Sequence, residues 1–205
     1  MRKIDALRPY QRHLAERLFE EFGKKPGALL AIEMSLGKTV ITATAVRWLL
    51  DSFLVRRVLV VAPLRVAQMT WPDEFNEWQH LRAVHRVSLC GTIGQRLTPE
   101  QRKKLLEEFL ADPLSEIAII NRENVVWLYK TLQEMRVPWP FDMLVYDESS
   151  RLKEGKKRTG KKNLSEFGVY ARVRKEMDYA ILLTGTPTPN GLTDLWGQLA
   201  VIDLG

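Results

Sequence analysis

The chain of 205 residues carries a single cysteine, Cys90. With no second thiol, an internal disulfide and a cysteine metal cluster are both excluded. Histidine is almost as scarce: His13, His80 and His85 are the only three, and they fall into no metal-ligand pattern. No apolar run approaches the roughly 18–20 residues that span a bilayer, which argues against a membrane partner. The opening residues Met1-Arg2-Lys3-Ile4-Asp5 lack the apolar core of a signal peptide. Internal repeats and a flexible Gly/Ser linker are also missing. These absences predict a soluble, intracellular chain organised as one unit over residues 1–205.

Apolar residues make up 45% of the chain, ample for a core. There are 31 Lys and Arg against 25 Asp and Glu, giving a formal net charge of +6 and favouring polyanionic partners.

The stretch from Ala28 to Val40 organises the rest. An apolar run of strand length leads through Glu33-Met34-Ser35-Leu36 into Gly37-Lys38-Thr39, and a helical pattern follows at once. A helix N-terminus offers unpaired N–H groups and the positive end of its dipole to phosphate. Lys38 is placed to reach the β and γ phosphates, and the Thr39 hydroxyl to ligate Mg²⁺. The full G-x-x-x-x-G-K-[ST] pattern is not met, because Ile32 stands where the first glycine belongs.

Further apolar runs at residues 56–63, 117–121, 141–148 and 179–187 predict buried strands, with a short strand over 85–90. Between them lie helical patterns. Pro9 suits the first turn of one helix, and Thr98-Pro99-Glu100-Gln101 is a capping box opening another. Trp71, Phe75 and Trp78 lie on a helix interrupted near Pro72 and are assigned to the core. Strands alternating with helices predict an α/β fold with a mainly parallel sheet and helices on both faces.

Asp147 and Glu148 end one strand, at the edge where parallel sheets place ligand sites. Gly37-Lys38-Thr39 lies at the same edge. Asp147 there can hold Mg²⁺ against phosphates, and Glu148 can orient or deprotonate a water.

These residues carry a resemblance. Leu7-Arg8-Pro9-Tyr10-Gln11 resembles the glutamine motif of Swi/Snf-related DNA translocases, within the superfamily-two helicases. Glu33-Met34-Ser35-Leu36-Gly37-Lys38-Thr39 is similar to their motif I, D-E-M-G-L-G-K-T. Val60-Val61-Ala62-Pro63-Leu64, with Trp71 and Glu74-Phe75 beyond, resembles motif Ia. Asp147-Glu148-Ser149-Ser150-Arg151-Leu152-Lys153 matches motif II. Leu183-Thr184-Gly185-Thr186-Pro187-Thr188-Pro189-Asn190, then Leu195-Trp196, is similar to motif III.

The resemblance implies the N-terminal RecA-like P-loop lobe of an ATPase that uses ATP and Mg²⁺ and moves on duplex DNA. Gln11 would read adenine with Tyr10 packing nearby. The loop Ser35-Leu36-Gly37-Lys38-Thr39 would hold phosphates, Thr39 and Asp147 the metal, and Glu148 the attacking water, with Lys38 assisting catalysis. Pro63 and Arg65, and Thr184 and Thr186, would contact DNA or couple it to the nucleotide. So would Lys156, Lys157, Arg158, Lys161 and Lys162 of a basic segment after motif II. The motif III strand would lie between those of motifs I and II. A second RecA-like lobe, which supplies arginine fingers in the family, is absent from residues 1–205. The compartment implied is the cytoplasm for a prokaryotic or phage-encoded chain and the nucleus for a eukaryotic one. Two departures stand out: Ser35 replaces a glycine, and Ser149-Ser150 replaces Ala-His or Gly-His. A nucleotide- or DNA-binding module without turnover of its own is the alternative. An unrelated P-loop kinase would need neither motif III nor the glutamine motif.

Overall fold

Strands form where the sequence places its unbroken apolar runs. In the computed structural model, which describes residues 1–152, 164–189 and 191–203, these are β1 (Gly27–Ala31), β2 (Val58–Ala62), β3 (Arg86–Ser88), β4 (Ile117–Asn121), β5 (Met143–Asp147) and β6 (Tyr179–Thr184). They make one six-stranded, all-parallel sheet in the order β1-β6-β5-β2-β4-β3. The motif III strand β6 lies between β1 and β5, as the resemblance implies.

The helices are α1 (Pro9–Glu20), α2 (Lys38–Asp51), α3 (Trp71–Glu77), α4 (Pro99–Ala111), α5 (Val125–Glu134), α6 (Glu166–Val173) and α7 (Thr193–Ile202). Successive strand residues point to opposite faces, and both faces are covered. Val58, Val60 and Ala62 of β2 pack with Leu18 of α1, Ile41 and Leu49 of α2, and Phe75 of α3. Leu59 and Val61 pack with Leu106 of α4, Leu128 of α5 and Val169 of α6. The central strands β2, β4, β5 and β6 are buried throughout, whereas β1, at the sheet edge, is only partly so.

Helix starts follow the signals in the sequence. The Thr98 hydroxyl accepts from Gln101 N–H at 3.2 Å, and the Gln101 side chain accepts in return from Thr98 N–H at 2.9 Å. At α1 the Gln11 side chain accepts from Arg8 N–H at 3.0 Å. Ahead of α3, residues Val66–Thr70 wind into a π-helical turn, so the break falls just before Pro72. Trp71 and Phe75 have no exposed surface, and Trp78 retains 2%.

Parallel register sets the carboxyl ends flush. Asp147 pairs with Leu183, and Ala31 with Thr184. The ends of β1, β6 and β5 therefore form one contiguous rim.

At the opposite rim a buried guanidinium ties the sheet to its last helix. Arg174, 3% exposed, donates to the carbonyls of Val201 at 2.6 Å, Met177 at 2.7 Å and Ile202 at 3.0 Å, and to that of Pro26 just before β1. The carbonyls of Val201 and Ile202 are orphans of the α7 C-terminus, where positive charge is favoured. We expect Arg174→Met to destabilise by about 3 kcal/mol, because buried carbonyls lose charge-assisted partners. That corresponds to a fall in Tm of roughly 6–12 °C for a chain of this size, measurable by calorimetry.

Candidate functional site

The segment joining β1 to α2 is a tight loop. The β1–β6 pairing runs one residue further, with Ile32 N–H donating to Thr184 O at 3.2 Å. Ser35 and Gly37 then take left-handed conformations, φ +64° and +81°. Glycine is needed twice over at 37: a Cβ there would also come within 2.4 Å of Gln11 Nε2. Ser35 adopts its left-handed angle without that freedom, at a cost of about 1–2 kcal/mol.

Lys38 opens α2, and its ammonium folds back to donate to Ile32 O at 2.9 Å and Glu33 O at 3.0 Å. Thr39, 8% exposed, follows in the first helical turn. A Cβ on Gly185 of motif III would sit 3.7 Å from Lys38 Nζ, so that loop leans directly on the phosphate loop. From below, Tyr10 Oη donates to Leu36 O at 3.1 Å and Gln11 Nε2 to the same carbonyl at 3.2 Å. The amide of Gln11 is thus shared between the start of α1 and the phosphate loop.

Asp147 is 7% exposed at the end of β5. Its Oδ2 accepts from Trp71 Nε1 at 3.1 Å and its Oδ1 from Glu148 N–H at 2.9 Å. Burial pushes its pKa up to about 6; the Trp71 hydrogen bond and the Lys38 charge pull it down, while the Glu148 charge pushes it up. The influence of Lys38 reflects how near the phosphate loop lies. Glu148 turns the chain with φ +58°, and its side chain is half-buried at the rim.

Beyond the acids, Ser149 Oγ donates to Gln198 Oε1 at 2.7 Å, and Gln198 Nε2 donates to Pro187 O at 2.9 Å. Motifs II and III are thereby joined through α7. Thr184 is fully buried, its Oγ1 accepting from Thr186 N–H at 3.0 Å, whereas Thr186 itself is exposed. Pro63 and Arg65 leave β2 on the same rim; Pro63 O accepts from Ala67 N–H at 2.9 Å, and Arg65 is exposed. Lys156, Lys157, Arg158, Lys161 and Lys162 lie outside the described residues. The residues flanking them are tied by Glu166, which accepts from Tyr146 Oη at 2.7 Å and pairs with Arg122 at 3.4 Å, while Arg122 also donates to Arg151 O.

The rim therefore gathers Gln11, Leu36 to Thr39, Asp147, Glu148, Thr184 and Gly185. Sequence reasoning missed the Trp71 bond to Asp147 and the Gln198 bridge. A buried indole N–H needs an acceptor, which was a signal for the first. Gln198, a polar residue inside an apolar helical run, was a signal for the second.

The residues fit Mg²⁺ with a nucleotide. A buried carboxylate and a helix-start hydroxyl are hard oxygen donors. Among the described residues no three His, Cys, Asp or Glu side chains converge. Two such donors would leave most of a magnesium shell to phosphate oxygens and water.

The raised pKa of Asp147 yields a signed expectation. Its folded value, about 6, lies above its ordinary one of 3.8. Protonation therefore stabilises the fold, and that stability is lost as pH rises through 4 to 6. Asp147→Asn turns one acceptor into a donor facing an N–H, a cost that does not depend on pH, but it removes the ionisation. The stability of the variant relative to the parent should therefore be about 2–3 kcal/mol more favourable at pH 7.5 than at pH 4. Thermal melts at the two pH values check it; an equal difference at both would refute the charge penalty.

Comparison with known proteins agrees with this geometry. The model of the SNF2-related domain matches residues 10–205. The chain is 36% identical over 199 residues to putative protein p41 of Acyrthosiphon pisum secondary endosymbiont phage 1, covering 97% of this chain and 39% of that protein. It is 29% identical to the DNA repair and recombination protein RAD54B of Gallus gallus, covering 97% of this chain and 20% of that one. The structure of the Sulfolobus solfataricus SWI2/SNF2 ATPase core in complex with dsDNA superposes with a TM-score of 0.71 at 22% identity, over 97% of this chain and 36% of that one. The chain thus spans well under half the length of these relatives. Its sheet has the RecA-like fold of that core, and with nearly every residue matched, the chain belongs to the SNF2-related domain family.

Proposed function

We propose that this chain is the ATP-binding lobe of a DNA-dependent ATPase that moves on duplex DNA when joined to a second RecA-like lobe. One observation carries the reading. The all-parallel register brings the Lys38 loop, the buried Asp147 and the half-buried Glu148 to one rim, with motif III between them.

The residues divide the work. Backbone N–H groups at the start of α2 and the Lys38 ammonium bind phosphate. Lys38 spends two of its three N–H donors on the Ile32 and Glu33 carbonyls, so one is left for a phosphate oxygen and a second phosphate contact requires the exchange of a carbonyl. Held by Thr39 and Asp147, Mg²⁺ would neutralise charge on the β and γ phosphates. Asp147 is held ready for that role by two N–H donors. Glu148, half-buried and beside that carboxylate, takes the proton of the attacking water. We assign adenine recognition to Gln11 and Tyr10, at the start of α1. Gln11 spends one of its two Nε2 hydrogens on Leu36 O and one Oε1 lone pair on Arg8 N–H, so the same amide can read the base while it holds the phosphate loop. Thr184, Thr186 and the Ser149–Gln198–Pro187 bridge carry nucleotide state toward the DNA-facing loops, and Pro63 and Arg65 meet the phosphodiester backbone. The basic side chains from Lys156 to Lys162 add sequence-independent backbone contacts.

An exposed apolar stripe supports a second lobe. Leu192, Trp196 and Leu199 stand 81%, 65% and 43% exposed along α7, beside the motif III loop. Such a patch marks an interaction surface.

Isolated residues 1–205 are expected to bind Mg²⁺·ATP weakly and to turn over slowly. Arginine fingers from elsewhere are worth roughly 10³–10⁵ in rate for phosphoryl transfer. Robust DNA-stimulated turnover by a clean monomer would sink the two-lobe reading.

In the complete protein, Lys38→Ala should weaken nucleotide binding, because it removes the charge facing the phosphates. Glu148→Gln should leave ATP bound while hydrolysis stops. Titration calorimetry together with ATPase rates separates the two, and unchanged turnover in either variant counts against the assigned roles.

A further inference from the structure

We infer that Trp71 is a positioning residue for the metal-binding carboxylate, linking the exit loop of β2 to the metal site. The inference deepens the proposed function and rests on it.

Three observations converge. First, the Trp71 indole has no exposed surface, and its N–H donates to Asp147 Oδ2 at 3.1 Å. A buried indole could be satisfied by any carbonyl. This one is spent on the single carboxylate that ends β5 beside the phosphate loop. Each oxygen of Asp147 thus accepts one N–H, Oδ1 from Glu148 and Oδ2 from Trp71, which fixes its rotamer. Outer donors of this kind orient metal-ligating carboxylates.

Second, the backbone that delivers Trp71 is irregular. Residues Val66–Thr70 form a π-helical turn directly before it. Such turns are rare and recur at functional sites. A regular helix running on from Pro63 would bring the residue at 71 to a different azimuth.

Third, the same short segment is exposed at its other end. Leu64 is 38% exposed and Arg65 is exposed, on the rim that carries the candidate DNA contacts. Between the ends, Gln68 Nε2 donates to Cys90 O and Thr92 O, each at 3.2 Å, anchoring the flank of the turn. Residues 63–71 therefore form one anchored piece, with a solvent-facing cation at one end and an indole on the carboxylate at the other. A phosphodiester contact at Arg65 acts on the piece that holds Asp147. By reciprocity, filling the metal site acts on the exit loop.

The test uses ¹⁵N-indole spectra and titration calorimetry on the chain, with Mg²⁺·ADP, with ADP in EDTA, and with a duplex oligonucleotide as probes. Trp71→Phe assigns the Trp71 indole signal. Incorporating 3-benzothienylalanine at 71 keeps the shape and removes only the N–H, so it separates positioning from packing. Expected results are a shift of the Trp71 indole signal with Mg²⁺·ADP and, separately, with duplex DNA, but not with ADP in EDTA. The benzothienyl variant should bind Mg²⁺·ADP about 10–100-fold more weakly, with ADP in EDTA unaffected. An unmoved indole signal while phosphate-loop resonances shift, or unchanged Mg²⁺·ADP affinity in the benzothienyl variant, would overturn the inference and leave Trp71 a packing residue. If neither the indole nor the phosphate-loop resonances respond to Mg²⁺·ADP, it is the nucleotide reading beneath the inference that fails.

Discussion

A carboxylate kept out of water at the end of a fully buried strand is the constraint around which the upper rim is built. Asp147 sits where β5 leaves the sheet, and burial resists its ionisation. The surrounding structure offsets that resistance with donors: an indole N–H from one side, a backbone N–H from the other, and the Lys38 charge nearby. A left-handed turn at Glu148 follows immediately after the amide that bonds the carboxylate. Strain and a buried charge at one corner are the kind of local expense tolerated where a site must be ready before its ligand arrives.

The rest of the rim follows from strand order. With β6 inserted between β1 and β5, the phosphate loop and the acids are not direct neighbours. The motif III loop lies between them: Gly185 lies beside Lys38, and Pro187 is held by Gln198, which also binds Ser149. The buried Thr184 and exposed Thr186 mark the inner and outer ends of that loop, and one hydrogen bond joins them.

Much of this was legible in the residues. Unbroken apolar runs located the central strands to within three residues, because a strand covered on both faces has no polar positions to blur it. The capping box at Thr98 and the proline at residue 9 located helix starts, because the signal there is local hydrogen-bond chemistry. The gathering of Lys38 and Asp147 at one rim followed from the parallel sheet, whereas Gln11 was marked only by the resemblance to the glutamine motif. What stayed hidden depends on long-range geometry. Nothing in the string around Pro72 distinguishes a π-helical turn from a plain break, so Trp71 read as one more core aromatic. The hydroxyl that reaches motif III is that of Ser149, by way of Gln198, and nothing in the Ser149-Ser150 pair of the sequence tells which of the two does so. Arg174 gave no warning at all, since a buried guanidinium satisfied by carbonyls has no acidic partner in the sequence to announce it.

Arg174 has a consequence for the order in which the sheet comes apart. Among the described residues β1 is an edge strand, bound to β6 alone, so half of its amides lack a neighbouring strand. An edge of that kind is the natural place for a sheet to fray. Yet this edge strand leads straight into the phosphate loop and sets where Lys38 stands. The guanidinium grips Pro26 immediately before β1 and, with the same plane, the last turn of α7. Fraying at the foot of β1 therefore also breaks a charge-assisted bond to the guanidinium that holds the end of α7, which makes it costlier than the loss of strand hydrogen bonds alone.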